Sequence, residues 1–237
     1  MKNPITSENI NLYAYSNDHL IKGEIRGIVL ALFGLGFKSM IKQDPPEAFE
    51  YAENGIMYVV PYYNPWCWMN EQAVDYVDSV VAAICEKHGL GENVRICATG
   101  QSMGGLCALV YTKYARITPA GCVVNCPVCD LVYHIGERED LPRTLYSAFC
   151  YYDGTIEEAL AAHSPYHLAD TMPDVPYAIF HCEQDKSVNL QMHSERFYEK
   201  MKATHDITLT TVPYRGHCDL SHEAWIEYFK AVKKVIG

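Results

Sequence analysis

No stretch of the chain approaches the roughly 18 consecutive apolar residues that a helix needs to cross a bilayer, so a helical membrane span is not expected. The first residues, MKNPITSENINLYAYS, lack the apolar core of a signal peptide, and a cytoplasmic location is the expectation. Basic residues are in the minority. The 19 Lys and Arg against 29 Asp and Glu leave a formal net charge of −10, so nucleic acid and anionic membrane surfaces are poor partners, because either would be repelled. Flexible linkers, repeats of fixed period and low-complexity tracts are missing too, and residues 1–237 read as a single domain. With 49% hydrophobic and only 20% charged residues, such a chain can bury one large core. Cysteine is plentiful: ten residues without an export signal are expected to be reduced thiols. The oligomeric state leaves no mark in the sequence.

The densest signal is Asn93 to Leu106, NVRICATGQSMGGL. Val94 to Thr99 is an apolar run of strand length, Gly100-Gln101-Ser102-Met103-Gly104 follows at once, and Leu106 to Tyr114 reads as helix. The pattern G-x-S-x-G between strand and helix is that of a nucleophile elbow. Glycines two before and two after the serine remove side chains that would collide in so tight a turn. Ser102 is then the candidate nucleophile.

Around this stretch, strands and helices alternate. Ile10 to Ala14 and Ile21 to Arg26 alternate apolar and polar residues, which predicts a half-exposed antiparallel hairpin about the Ser16-Asn17-Asp18 turn. Gly27 to Phe33 is apolar on both faces, as a central parallel strand would be. A helix is expected within Ser39 to Asn54, a strand over Ile56 to Val60, and an amphipathic helix through Val74, Val77, Val81 and Ile84 that stops near Gly89. Cys122 to Asn125 and Tyr177 to His181 read as buried strands about fifty residues apart, roughly twice what a bare crossover needs, so residues 131–170 are expected to carry a small lid. Thr155 and Glu158 form a capping box within it. A helix from about Asn189 to Lys202, a strand Ile207 to Val212 and a last helix complete a mainly parallel α/β sheet of about eight strands flanked by helices, with the lid after the sixth. Ligands are then expected at the carboxyl ends of the strands.

A serine hydroxyl needs a base to take its proton, and the base needs an acid to hold its tautomer. His217, five residues past the last strand in Arg215-Gly216-His217, and Asp185, four past His181, occupy the corresponding positions one strand apart. The alternative acid is Asp130, after the strand that follows the elbow. The order of elements, G-Q-S-M-G-G, the acid after the penultimate strand and G-H after the last one resemble the α/β-hydrolase fold over nearly the whole chain. The segment from Ser164-Pro165 through Cys182-Glu183-Gln184-Asp185 to Gly216-His217 resembles the branch of dienelactone hydrolases and prolyl-oligopeptidase-like esterases, which contains small bacterial carboxylesterases and cinnamoyl or feruloyl esterases.

Acyl transfer also needs an oxyanion hole. One donor is expected from the N–H of Met103, directly after the nucleophile. By resemblance to the family's His-Gly-x-Gly pattern, the other is the N–H of Leu35, although Phe33 stands where that pattern has histidine. The aromatic loop Tyr62 to Trp68 and the aromatics Tyr146 to Tyr152 could line a substrate pocket, with Trp66, Trp68, Tyr146 and Phe149 as the candidates. Cys126-Pro127-Val128-Cys129 has metal-ligand spacing, and His217-Cys218 is expected at the same sheet edge. No second such pair exists, so the thiols are read as structural and neither metal nor organic cofactor is expected. The reading is a serine esterase acting on a small-molecule carboxylic ester. The alternatives are a peptidase of the prolyl-oligopeptidase type, expected to bring an accessory domain, and a non-catalytic small-molecule binding protein of the same fold.

Overall fold

The apolar runs expected to be buried on both faces lie in the middle of one sheet. In the computed structural model, which describes residues 4–37, 40–91 and 93–237, the strands are β1 (Ala14–Ser16), β2 (Gly27–Leu32), β3 (Ile56–Pro61), β4 (Ile96–Gln101), β5 (Gly121–Asn125), β6 (Tyr177–Cys182) and β7 (Ile207–Val212). They lie in the order β1-β3-β2-β4-β5-β6-β7, all parallel except for β1 against β3. The helices are α1 (Pro46–Glu53), α2 (Glu71–His88), α3 (Met103–Tyr114), α4 (Leu131–His134), α5 (Leu141–Ala148), α6 (Ile156–Ala162), α7 (Pro165–Leu168), α8 (Arg196–Met201) and α9 (His222–Ile236). This is the α/β-hydrolase architecture, a mostly parallel sheet with helices on both faces.

Apolar side chains on the two faces of the sheet make two core layers. On one face Tyr51 of α1 and Tyr228, Val232 and Val235 of α9 meet Val29, Cys97 and Val123. On the other, Val77 and Val81 of α2, Leu106 and Leu109 of α3 and Phe197 of α8 meet Ile28, Leu30, Ala98 and Val124. α3 is buried along Met103 to Thr112 and is apolar all round, as befits a helix that no solvent reaches. Caps fix the ends. Asn70 accepts the Ala73 N–H at the start of α2, Gly89 closes it in the left-handed region at φ 62°, and Thr155 with Glu158 forms the expected capping box on α6.

The expected hairpin does not form. Ile10–Leu12 is a 3₁₀ turn, Ile21 to Arg26 joins no strand, and Ala14–Ser16 pairs with Val59–Pro61, so the sheet has seven strands where about eight were expected. Asn17 is the physical reason. It is wholly buried, accepts the Tyr58 N–H at 2.7 Å and donates to the Ala48 carbonyl at 2.7 Å, which ties this end of the chain to β3 and α1. The helix expected from Ser39 begins at Pro46, a residue suited to a first helical turn; Ser39 itself lies outside the described residues. Between β5 and β6 the helices α4 to α7 fill the interval expected to hold a lid. Among the described residues no helix is long and apolar enough to cross a membrane.

Candidate active site

Ser102 lies between the end of β4 and the start of α3 with φ 56° and ψ −125°, a conformation that costs a non-glycine residue on the order of 1–3 kcal/mol. Neighbouring backbone holds it there. The Ser102 N–H donates to the Asn125 carbonyl at 3.0 Å, while its own carbonyl accepts from Gly105, Leu106 and Val128 at 3.0, 3.2 and 3.3 Å. Both elbow glycines are required by close approach. A Cβ on Gly100 would overlap the Gly104 carbonyl, and one on Gly104 would overlap the Leu32 carbonyl on β2.

Asp185 and His217 meet beyond the ends of β6 and β7, with Asp185 Oδ2 and His217 Nδ1 2.6 Å apart. A carboxylate only accepts, so Nδ1 carries a ring proton and Nε2, the nitrogen turned away from Asp185, is the one that can exchange its proton. Asp185 has no exposed side-chain surface, and its Oδ1 accepts the N–H groups of Ser187 and Val188 at 2.8 and 3.0 Å. Burial alone would raise its pKa, but hydrogen bonding from His181, His217 and these two amides holds it far below the ordinary carboxylate range. For His217, burial opposes the ring's charge, yet Asp185 and the Cys126 sulfur outweigh it and raise the pKa to about 9. Asp130 is engaged elsewhere: it caps α4 by accepting the Tyr133 N–H at 3.1 Å and lies 3.3 Å from Arg196 Nη1.

His217 and Ser102 line one cavity of about 600 Å³ at the carboxyl ends of β2 and β4. The loop after β2 forms its rim, where a Cβ built on Gly34 would lie 3.9 Å from Ser102 Cβ. Leu35 is the next residue, and no backbone carbonyl among the described residues accepts its N–H. Met103, as the first residue of α3, likewise has no intrahelical acceptor. The two N–H groups expected to form the oxyanion hole thus come from loop and helix segments that flank Ser102.

The cavity wall differs from the one expected from sequence. Its rings are Phe33, Phe37, Tyr51, Tyr58, Trp225, Tyr228 and Phe229, with Glu47 and Arg138 the charged residues. None of Trp66, Trp68, Tyr146 and Phe149 lines it. Trp68 is 1% exposed and donates its indole N–H to Thr144 Oγ1 at 3.0 Å, while Phe149 packs on His163 at 4.6 Å between ring centres. Tyr146 and Trp66 are exposed on the surface. The aromatic loop instead braces the rim. Tyr63 stacks on Phe33 at 4.1 Å and donates its hydroxyl to the Phe33 carbonyl at 2.9 Å, and the Pro65 carbonyl accepts the Gly36 N–H at 3.0 Å. Trp225, Tyr228 and Phe229 fall at the i, i+3, i+4 spacing of an ordinary apolar helix face, and that spacing carries no mark of a cavity.

The C-x-x-C cysteines part company. Cys129 is buried and its amide donates to His193 Nδ1, whereas the sulfurs of Cys126 and Cys218 and a ring nitrogen of His217 lie within 4.8 Å of one another.

No curated protein matches the sequence. Among solved structures, an acylaminoacyl peptidase of Pyrococcus horikoshii superposes with a TM-score of 0.71 at 12% identity, over 91% of this chain and 37% of that one. The chain therefore spans little more than a third of that relative's length. The Est2 esterase of Thermogutta terrifontis gives 0.66 at 20% identity over 93% and 85% of the two chains, and esterase PE8 gives 0.58 at 16% over 91% and 95%. The sequence profile of the prolyl oligopeptidase family matches residues 66–234, which include Ser102, Asp185 and His217, and the chain belongs to that family of serine hydrolases.

Proposed function

We propose that the protein hydrolyses carboxylic esters of a small apolar or aromatic acyl group through an acyl-enzyme on Ser102. In this reading His217 takes the Ser102 proton through Nε2 and then gives it to the leaving alcohol. Asp185 holds the ring in the required tautomer, and the N–H groups of Leu35 and Met103 receive the oxyanion. The observation that carries the reading is one cavity that holds Ser102 and the Asp185-paired His217 and is walled mainly by rings. An aromatic acyl group would bury its faces against Tyr51, Trp225 and Phe229, and offset or edge-on ring contacts add about 0.5–1.5 kcal/mol each beyond area burial. Two structural relatives that this chain nearly matches in length are esterases.

One observation favours a second reading, cleavage of an aminoacyl or peptide bond: Glu47 brings a carboxylate to the cavity wall, where an amino terminus could pair with it. A substrate panel separates the two. The ester reading expects kcat/KM for acetate and cinnamate esters to exceed that for aminoacyl anilides by at least about 100-fold, since the wall offers a charged amine one partner only. Phe229→Ala should raise KM for the cinnamate more than for the acetate. Faster cleavage of an anilide than of any ester, with Glu47→Gln lowering it, would make the peptidase reading the better one.

A further inference from the structure

Three clusters among the described residues bring three His, Cys or carboxylate ligand atoms within 4.8 Å of one another, and their hydrogen bonds rank them as metal sites. In the cluster His134, Glu137 and His193, the His193 Nδ1 accepts two backbone N–H groups, from Cys129 at 3.1 Å and Asp130 at 3.2 Å. The ring proton is therefore on Nε2, donated to Glu137 at 2.8 Å, and no lone pair remains for an ion. In the cluster Cys126, His181 and Asp185, the His181 Nε2 donates to the Val188 carbonyl at 3.1 Å and Nδ1 accepts the Ser194 hydroxyl at 2.7 Å, so both ring nitrogens are engaged.

The cluster Cys126, His217 and Cys218 is different. The Nδ1–H of His217 is held by Asp185 at 2.6 Å, leaving Nε2 as the ring nitrogen that can give its lone pair to an ion once its own proton has left. That is the carboxylate–histidine arrangement that orients and strengthens an imidazole ligand. Cys218 Sγ stands 3.5 Å from that Nε2. Ligands on a tetrahedral zinc, with Zn–S about 2.3 Å and Zn–N about 2.0 Å, are about 3.5 Å apart for S and N and about 3.8 Å for two sulfurs. The sulfur of Cys126 accepts the backbone N–H groups of Cys182 and Cys218, each at 3.4 Å, two donors aimed where a thiolate's charge would sit. Both cysteines hold left-handed backbone, φ 44° at Cys126 and 59° at Cys218, which is uncommon for residues other than glycine. His217 and Cys218 line the cavity that Ser102 also lines, which gives an ion a way in.

We infer that Cys126, Cys218 and His217 Nε2 form a binding site for a thiophilic divalent cation, zinc, whose occupancy removes the imidazole base and switches hydrolysis off. The switching half rests on the reading of His217 as the base; the metal site does not. Binding expels the two thiol protons, and a ring proton where Nε2 is protonated, and no redox step is involved. Sulfur ligands select zinc over magnesium or calcium, so those ions leave the enzyme untouched.

The test uses the full chain, reduced and freed of metal, with cobalt(II) as a spectroscopic substitute for zinc. The site predicts a single equivalent of cobalt with thiolate-to-cobalt absorption in the near ultraviolet and tetrahedral bands in the visible, displaced by zinc. Zinc should abolish ester hydrolysis in step with its binding, and a chelator should restore it. Cys218→Ser, at a half-exposed position, should weaken binding by more than the roughly 10–100-fold that loss of an outer-shell partner costs, and inhibition, measured against each variant's own metal-free rate, should weaken in parallel. Cys126→Ser should do the same where it folds. Ser102→Ala should keep the cobalt spectrum, because the serine is no ligand. Absence of thiolate bands, or zinc inhibition unchanged in Cys218→Ser, overturns the site. A cobalt spectrum with the expected ligands but undiminished hydrolysis keeps the metal site and overturns the switch together with the role of His217.

Discussion

A carboxylate that accepts from one ring nitrogen dictates the proton-accepting role of the other, and this makes the choice between Asp185 and Asp130 measurable. Asp185→Asn should lower kcat by roughly 10³ to 10⁴ by favouring the wrong imidazole tautomer. Asp130→Asn should leave kcat nearly unchanged and cost at most about 1 kcal/mol of stability, through the lost charge opposite Arg196, since asparagine caps α4 as well as aspartate does; steady-state rates and urea midpoints of the two variants check both halves, and the reverse ranking moves the acid to Asp130. His217 adds a second prediction at the same scale. Its pKa is raised to about 9, so below that pH the ring is charged and cannot act as base. The kcat/KM for an ester should accordingly climb as pH rises through about 9; a plateau already reached at neutral pH contradicts it. Ser102, Asp185 and His217 were readable because each leaves a local mark, glycines around one and strand ends before the others. Sequence put Cys126 at the sheet edge of His217-Cys218 but could not tell that its sulfur meets the ring and that of Cys129 does not, since that depends on a left-handed residue that is not glycine and on strand ends brought together by the sheet.

At the scale of elements, the aromatic loop matters through the backbone that it supports. Tyr63 gives its hydroxyl to the Phe33 carbonyl at 2.9 Å and stacks on the Phe33 ring, next to the Gly34 to Gly36 rim. Removing an oxyanion donor outright typically costs 10² to 10³ in kcat, and losing a brace costs less, so Tyr63→Phe should lower kcat by roughly 10-fold with KM little changed. Stability should fall by about 1 kcal/mol for the lost hydrogen bond. A change confined to KM would return the loop to the role of pocket wall. Strand and helix periods revealed β2 to β7 and α2, α6 and α9 with small boundary shifts, because burial on one or two faces imposes a repeat. The first hairpin was misread because three alternating apolar residues fit a 3₁₀ turn equally well, with Ile10 buried and Leu12 73% exposed. The cavity wall escaped for a related reason. A helix stripe that packs on a sheet and one that lines a cleft have the same period, and only the gap left between α1 and α9 decides which residues do both.

Across the whole molecule, the acid–base groups buried by the fold set its response to alkali. The thiols of Cys97, Cys107 and Cys129 and the phenols of Tyr51, Tyr63 and Tyr228 are pushed well above their ordinary values, chiefly by burial. His217 is raised as well, by its partners rather than by burial. Each of these groups keeps its proton in the folded chain at a pH where the unfolded chain has released it. Stability changes with pH in proportion to the protons bound by the unfolded state less those bound by the native state, a difference that is negative here, so stability falls as pH rises. The His217 contribution is complete below about 6.5 and is lost as pH climbs through about 9. The thiol and tyrosine contributions begin to act above about 9 and 10, the ordinary values of these groups. The urea midpoint should therefore decline modestly between pH 7 and 9 and steeply from 9 to 11. Asp185→Asn, which removes the charge that holds the His217 proton, should flatten the first decline and leave the second intact. A midpoint that stays constant up to pH 11 would mean that the thiols and phenols ionise in the folded chain as easily as in water, and so that they are not sealed in its two core layers.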